Sequence, residues 1–158
     1  AVRAMVAETA QKEENPTARA LVDRLAEVTE DFVARKTVYS VNSALEIDLL
    51  GQVNAETIGG KQAGSMGGLI DFAVGGQVEG GAFLLGLRSQ TNKGKARIVN
   101  RLDANVVSLS RTFVETVVTE HGTANLRNKT VYERAVALAN IAHPDDRDAL
   151  LAEAENLR

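Results

Sequence analysis

A mixed α/β domain, an open sheet flanked by helices, is the fold class the sequence predicts, on three observations. Segments with apolar residues at helical spacing lie near both ends, segments with strand-like alternation fill the middle, and twelve of the 13 glycines fall between Gly51 and Gly94. At 158 residues, 44% hydrophobic and 25% charged, the chain has room for one sizeable core.

From Ala1 to about Glu14 the chain is rich in alanine and charge, which favours a helical segment. Asn15-Pro16 reads as a helix start, an N-cap acceptor before a proline at the first helical position. Leu21, Leu25, Val28 and Phe32 then share one face, so residues 16–35 are expected to form an amphipathic helix packed on a sheet. Beyond Lys36 the period changes. Val38 to Val41 is β-rich, and Leu45, Ile47 and Leu49 alternate with Glu46 and Asp48, which predicts a strand whose carboxylates lie on a solvated face.

Further strands are expected near 81–88, 97–102, 105–110 and 115–119, with a turn at Thr91 to Lys95. Thr130 to Glu133 has the form of a capping box and opens a helix to about Ala142. His143-Pro144 interrupts it, and a last helix follows from Asp145 to Leu157 with acidic residues in its first turn. The organisation is therefore a helical segment over 1–36 and an α/β domain over 37–158.

Composition excludes several classes. No apolar run reaches the roughly 18 residues of a membrane span and no signal-peptide pattern opens the chain, so it reads as cytoplasmic with no membrane partner. A net charge of −3 gives no attraction for nucleic acid. There is no cysteine, which removes disulfides, thiolate zinc sites and a cysteine nucleophile. His121 and His143 are not spaced as metal ligands, no metal site is predicted, and His143 before Pro144 suits a backbone cap.

The stretch Val41 to Phe72 carries Gly59, Gly60, Gly64, Gly67 and Gly68, which either serve tight turns or let backbone approach a ligand closely. Both readings stand on spacing alone. Gly67-Gly68 could present N–H donors to an oxyanion. Lys93-Gly94-Lys95 suits either a solvated basic turn or a phosphate contact. Glu120 ends an apolar strand in VVTEHG, where open α/β sheets bind ligands, or is an exposed strand-end charge. No Gly-x-Gly-x-x-Gly, Walker sequence or serine elbow is present.

VNSALEIDLLGQVNAETIGG, SMGGLIDF, KGKARIVNRL, VVTEHGTANLRNKT, ERA and IAHPDDRDALL, in this order over about residues 38–152, closely resemble the C-terminal part of the acetyl-CoA hydrolase/transferase family. That family includes succinyl-CoA:acetate and 4-hydroxybutyrate CoA-transferases. The resemblance implies a CoA-transferase-like fold and the movement of CoA between an acyl-CoA and a small carboxylate or water, through a glutamyl-CoA intermediate. Coenzyme A is then a substrate, with no covalently bound cofactor.

It also implies roles. Gly68 would give the oxyanion amide with Gly67 beside it, Glu120 would line the active site, and Lys93 with Gly94 would contact CoA. The family's nucleophilic glutamate precedes an Asp-Gly, and no such motif surrounds Glu8, Glu13, Glu14, Glu27 or Glu30. The chain is thus expected to need a missing N-terminal domain, to be inactive alone, and, lacking that partner, to be able to form a homo-oligomer. A non-catalytic CoA-binding or scaffold module is the other reading. The sequence departs from the family's usual residues at Ser65, Leu69, Asn100, His121, Asn125, Asn128 and Asp146.

Overall fold

A computed structural model describes residues 38–102 and 106–158. The helical segment expected over 1–36, with its amphipathic helix, lies outside the described residues.

The central sheet is built from β1 (Tyr39–Ser43), β6 (Ala82–Gly86), β8 (Thr116–Thr119) and β9 (Gly122–Asn125), in the order β1-β6-β8-β9. The first three are parallel, and β9 returns antiparallel along β8. A second sheet, β3-β2-β7, joins β2 (Glu46–Asp48) to β3 (Val53–Asn54) antiparallel and to β7 (Ile98–Val99) parallel. The short strands β4 (Thr57–Ile58) and β5 (Lys61–Gln62) form a hairpin whose two turn residues, Gly59 and Gly60, both have positive φ, as a two-residue hairpin turn demands. The predicted strands at 81–88, 97–102 and 115–119 are present in shortened form. That at 105–110 is reduced, among the described residues, to a single bridge from Leu109 to Val53.

Two corrections concern the middle of the chain. It is not all strand and turn, because α1 (Leu69–Gly75) forms the crossover between the parallel strands β1 and β6. Only Leu69 and Ala73, one turn apart, are buried on it. Leu69, one of the departures from the family pattern, is thus a core residue. The second concerns the strand carboxylates. Asp48 is 1% exposed, not solvated, and Ile47 and Leu49 on either side are buried too. Its carboxylate accepts from the backbone N–H groups of Leu50 and Gln52 at 3.0 and 2.9 Å and so closes the turn after β2. Glu46 is also largely covered and accepts from Lys95 and Asn54.

Phe83, Leu85 and Val117 carry the central sheet's buried face, and Ala135, Leu138 and Ala139 of α2 (Val131–Asn140) join the same core. The capping box that opens α2 is present in full: Thr130 Oγ1 accepts from Glu133 N, and Glu133 Oε2 accepts from Thr130 N at 2.8 Å. α3 (Pro144–Glu155) packs against α2, and His143 caps it by accepting from Asp145 N at 3.3 Å. Among the described residues no helix is long and apolar enough to cross a membrane.

Candidate active site

The three parallel strands end together, at Ser43, Gly86 and Thr119, and Glu120 follows directly after the last of these. Its carboxylate is met by Ser89, three residues past the end of β6. Ser89 N donates to Oε2 at 2.9 Å and Ser89 Oγ to Oε1 at 2.7 Å. These bonds favour the charged form and hold the Glu120 carboxyl down at about 2, with His121 adding a smaller attraction from 3.8 Å. Glu120 is therefore a fixed anion, half exposed at the rim of the sheet. Ser89, almost fully buried, is the residue that fixes it, and neither composition nor spacing singled it out.

Gly68 is the N-cap of α1. The helix runs antiparallel to β1: Ser40 Oγ donates to Phe72 O at 2.9 Å, and three residues on, a Cβ at Gly75 would lie 3.8 Å from Val38, so the helix start lies toward the strand's C-terminal end. Gly68 therefore faces the same end of the sheet as Glu120. Among the described residues no acceptor meets the Gly68 amide. Gly67 has φ +52°, and a Cβ there would meet nothing within 4 Å, so backbone conformation rather than crowding calls for glycine. At Gly68 the space is tighter, since an added Cβ would lie 3.1 Å from the Phe72 ring.

Lys93 and Gly94 sit in the exposed turn closed by Thr91 N to Lys95 O at 2.8 Å, with Gly94 at φ +75°. Arg88 N–H bonds to Asn92 at the base of this turn. No bond joins Lys93 to Gly68 or Glu120. Among the described residues no three His, Asp or Glu side chains gather as a metal set.

Beside these residues, where β1 and β6 end, opens a cleft of about 480 Å³ lined by Ser43, Ala44, Leu45, Ala55, Gly86, Leu87, Arg88 and Arg97. It touches none of the five residues singled out from the sequence, but Arg88 is the neighbour of Ser89. Near it on β1, the Nδ2 of Asn42 is buried without a partner among the described residues.

Residues 10–154 match the family model described as the acetyl-CoA hydrolase/transferase C-terminal domain. The chain is 45% identical over 117 residues to 4-hydroxybutyrate coenzyme A transferase of Clostridium kluyveri, a match that covers 72% of this chain and 27% of that protein. Among solved structures, it is similar to 4-hydroxybutyrate CoA-transferase from Porphyromonas gingivalis, with 38% identity and a TM-score of 0.60 over 75% of this chain and 26% of the other. RipA from Yersinia pestis is similar too, at 34% identity and a TM-score of 0.66 over 77% and 26%. The chain thus spans about a quarter of the length of these relatives.

Proposed function

The chain belongs to the acetyl-CoA hydrolase/transferase family, whose C-terminal domain it matches, and from that premise we propose that it forms the C-terminal half of an active site that moves CoA from an acyl-CoA thioester to a carboxylate. A glutamate outside this chain attacks the thioester carbonyl and expels the CoA thiolate, leaving an acyl-glutamyl anhydride. The thiolate attacks the glutamyl carbonyl of that anhydride, which gives glutamyl-CoA and frees the first acid. A second carboxylate reverses the two steps and leaves as the new thioester, whereas water would release CoA instead.

In this reading each tetrahedral intermediate carries an oxyanion, and the Gly68 amide is its donor. Glu120 stays ionised at the rim and positions groups beside the nucleophile, and Lys93 and Gly94 meet the CoA moiety from their turn. What supports the reading is that the Gly68 amide, unmet among the described residues, and the Ser89-held Glu120 lie toward the same end of a parallel sheet, where such sheets bind ligands.

The test is Gly68→Pro in the full-length protein. Proline accepts the observed φ of −85° but removes the N–H. With acetyl-CoA as donor, kcat is expected to fall about 100- to 1,000-fold. Gly68→Ala, which keeps the amide and crowds Phe72, should lose far less. Equal activity in the proline variant and the parent would remove Gly68 from the mechanism. No transfer by the full-length parent to any carboxylate would favour a CoA-binding scaffold.

A further inference from the structure

Arg97 stands in the wall of the cleft with donors the fold leaves unused. Among the described residues its Nε is buried and meets no acceptor, and its Nη1 has only a 3.5 Å contact to Ala44 O. No carboxylate among the described residues pairs with Arg97 or Arg88, since Glu46 is taken by Lys95 and Asn54, Glu120 by Ser89, and Asp146 by Gln90. A guanidinium in a half-buried wall with no carboxylate paired to it is completed best by an anion that meets its terminal N–H groups. Arg88 adds a second cation at the exposed rim.

Apart from Ser43 and Gly86, the rest of the wall is apolar: Ala44, Leu45, Ala55 and Leu87. At about 480 Å³ the cleft is in the usual range for small-molecule sites. Cations beside an apolar wall suit an acid with a short hydrocarbon body. The carboxyl that reacts must reach Gly68 and Glu120, and neither lines the cleft. The cleft is therefore left for another part of the molecule.

We propose that this cleft binds the non-reacting carboxylate of a short dicarboxylic acid, with Arg97 as the main cation and Arg88 at the rim, and so selects dicarboxylic over monocarboxylic acyl groups. This rests on the CoA-transfer reading above and names the substrate class of that same site.

The decisive experiment compares succinate and butyrate as CoA acceptors in the full-length protein. Arg97→Gln is expected to raise KM for succinate about 10- to 100-fold, the loss of one charge-assisted contact, with kcat little changed and KM for butyrate within about twofold. Arg88→Gln should raise KM for succinate by about threefold, as befits an exposed cation. An equal loss with both acids, or none with succinate, overturns the proposal. Should Arg97→Gln fail to fold, the Arg88→Gln comparison decides by the same criterion.

Amide shifts of Leu45 and Leu87 supply a readout free of turnover. Saturable shifts with succinate that vanish in Arg97→Gln support the subsite. Shifts with inorganic phosphate or CoA but not succinate, or no shifts at all, overturn it. If the parent transfers CoA to neither acid while succinate still shifts these amides, the transfer reading fails and the carboxylate subsite stands.

Discussion

Arg134 and Arg97 are both partly buried, and among the described residues the Nε of each is buried without an acceptor, but the fold treats their terminal nitrogens in opposite ways. Arg134, on α2, donates to three backbone carbonyls, those of Arg111, Leu126 and Val114, at 2.8, 3.0 and 3.1 Å. It ties the helix to the turn before β8 and to the end of β9, and its tip lies against Gly51, where an added Cβ would come within 2.6 Å of Nη2. Burial pulls its guanidinium below the usual arginine range, yet a group that basic stays charged at neutral pH. Arg97 has one long contact and a cleft in front of it. The difference teaches where to look for function: an arginine whose terminal N–H groups end on the fold's own carbonyls is a staple, and one whose terminal N–H groups are largely left over is a candidate receptor.

The largest expected effect breaks that contrast if it fails. Arg134→Ala leaves the carbonyls of Leu126 and Val114 without a donor among the described residues, Arg111 O keeping its bond from Val114 N, and should cost about 3 kcal/mol of stability, read from urea denaturation. Arg97→Ala in the same series should cost less than about 1 kcal/mol, since few bonds are lost. Equal losses would mean that Arg97 is a staple as well, and the cleft would lose its claim on a ligand.

Much of the region around Arg134 was legible because its chemistry is local. Thr130 and Glu133 satisfy each other across three residues, and His143 caps its own helix two residues on, so side-chain type and spacing suffice. Asn128 adopts φ +57°, a conformation asparagine tolerates. The cleft edge was far less legible. Ser89 meets Glu120 across 31 residues of sequence, and Arg97 acquires its setting from the ends of β1 and β6, which only the parallel pairing brings together.

Asp48 misled because strand alternation places it outward, whereas it closes a turn and its bonds pull it in. DLLGQ does carry a turn signal, an aspartate three residues before a glycine, that competes with the alternation. α1 escaped because a seven-residue helix with two buried positions shows too little of its period to be read. The glycines before it suggested a loop throughout, and Gly68 instead hands the chain directly to that helix.

A smaller effect tests how self-contained the α2 region is. Thr130→Ala removes the acceptor for Glu133 N and the hydroxyl donor to Glu133 Oε2, leaving only the backbone N–H on the glutamate, which should cost about 1 kcal/mol by chemical denaturation. Catalysis and the succinate preference should not move. A change in acceptor preference would couple the cap to the cleft and blur the contrast between the two regions.

The smallest expected change in stability belongs to the cleft edge, and its pH dependence identifies it. The Glu120 carboxyl is held at about 2 in the folded chain against an ordinary 4.5, so its stabilisation is complete above pH 4.5 and is lost as pH falls through about 2. Ser89→Ala removes the largest cause of that depression, the hydroxyl bond, and leaves the backbone N–H in place. Because the Glu120 side chain is 46% exposed, solvent discounts the effect to less than about 1 kcal/mol. The deficit of the variant should be greatest above pH 4.5 and close as pH approaches 2, while the Glu120 carboxyl carbon titrates at a higher pH than in the parent. A deficit that ignores pH would make Ser89 a packing residue. One that follows the carboxyl titration would make the Ser89-Glu120 pair the anion that the fold keeps ionised at the edge of the cleft.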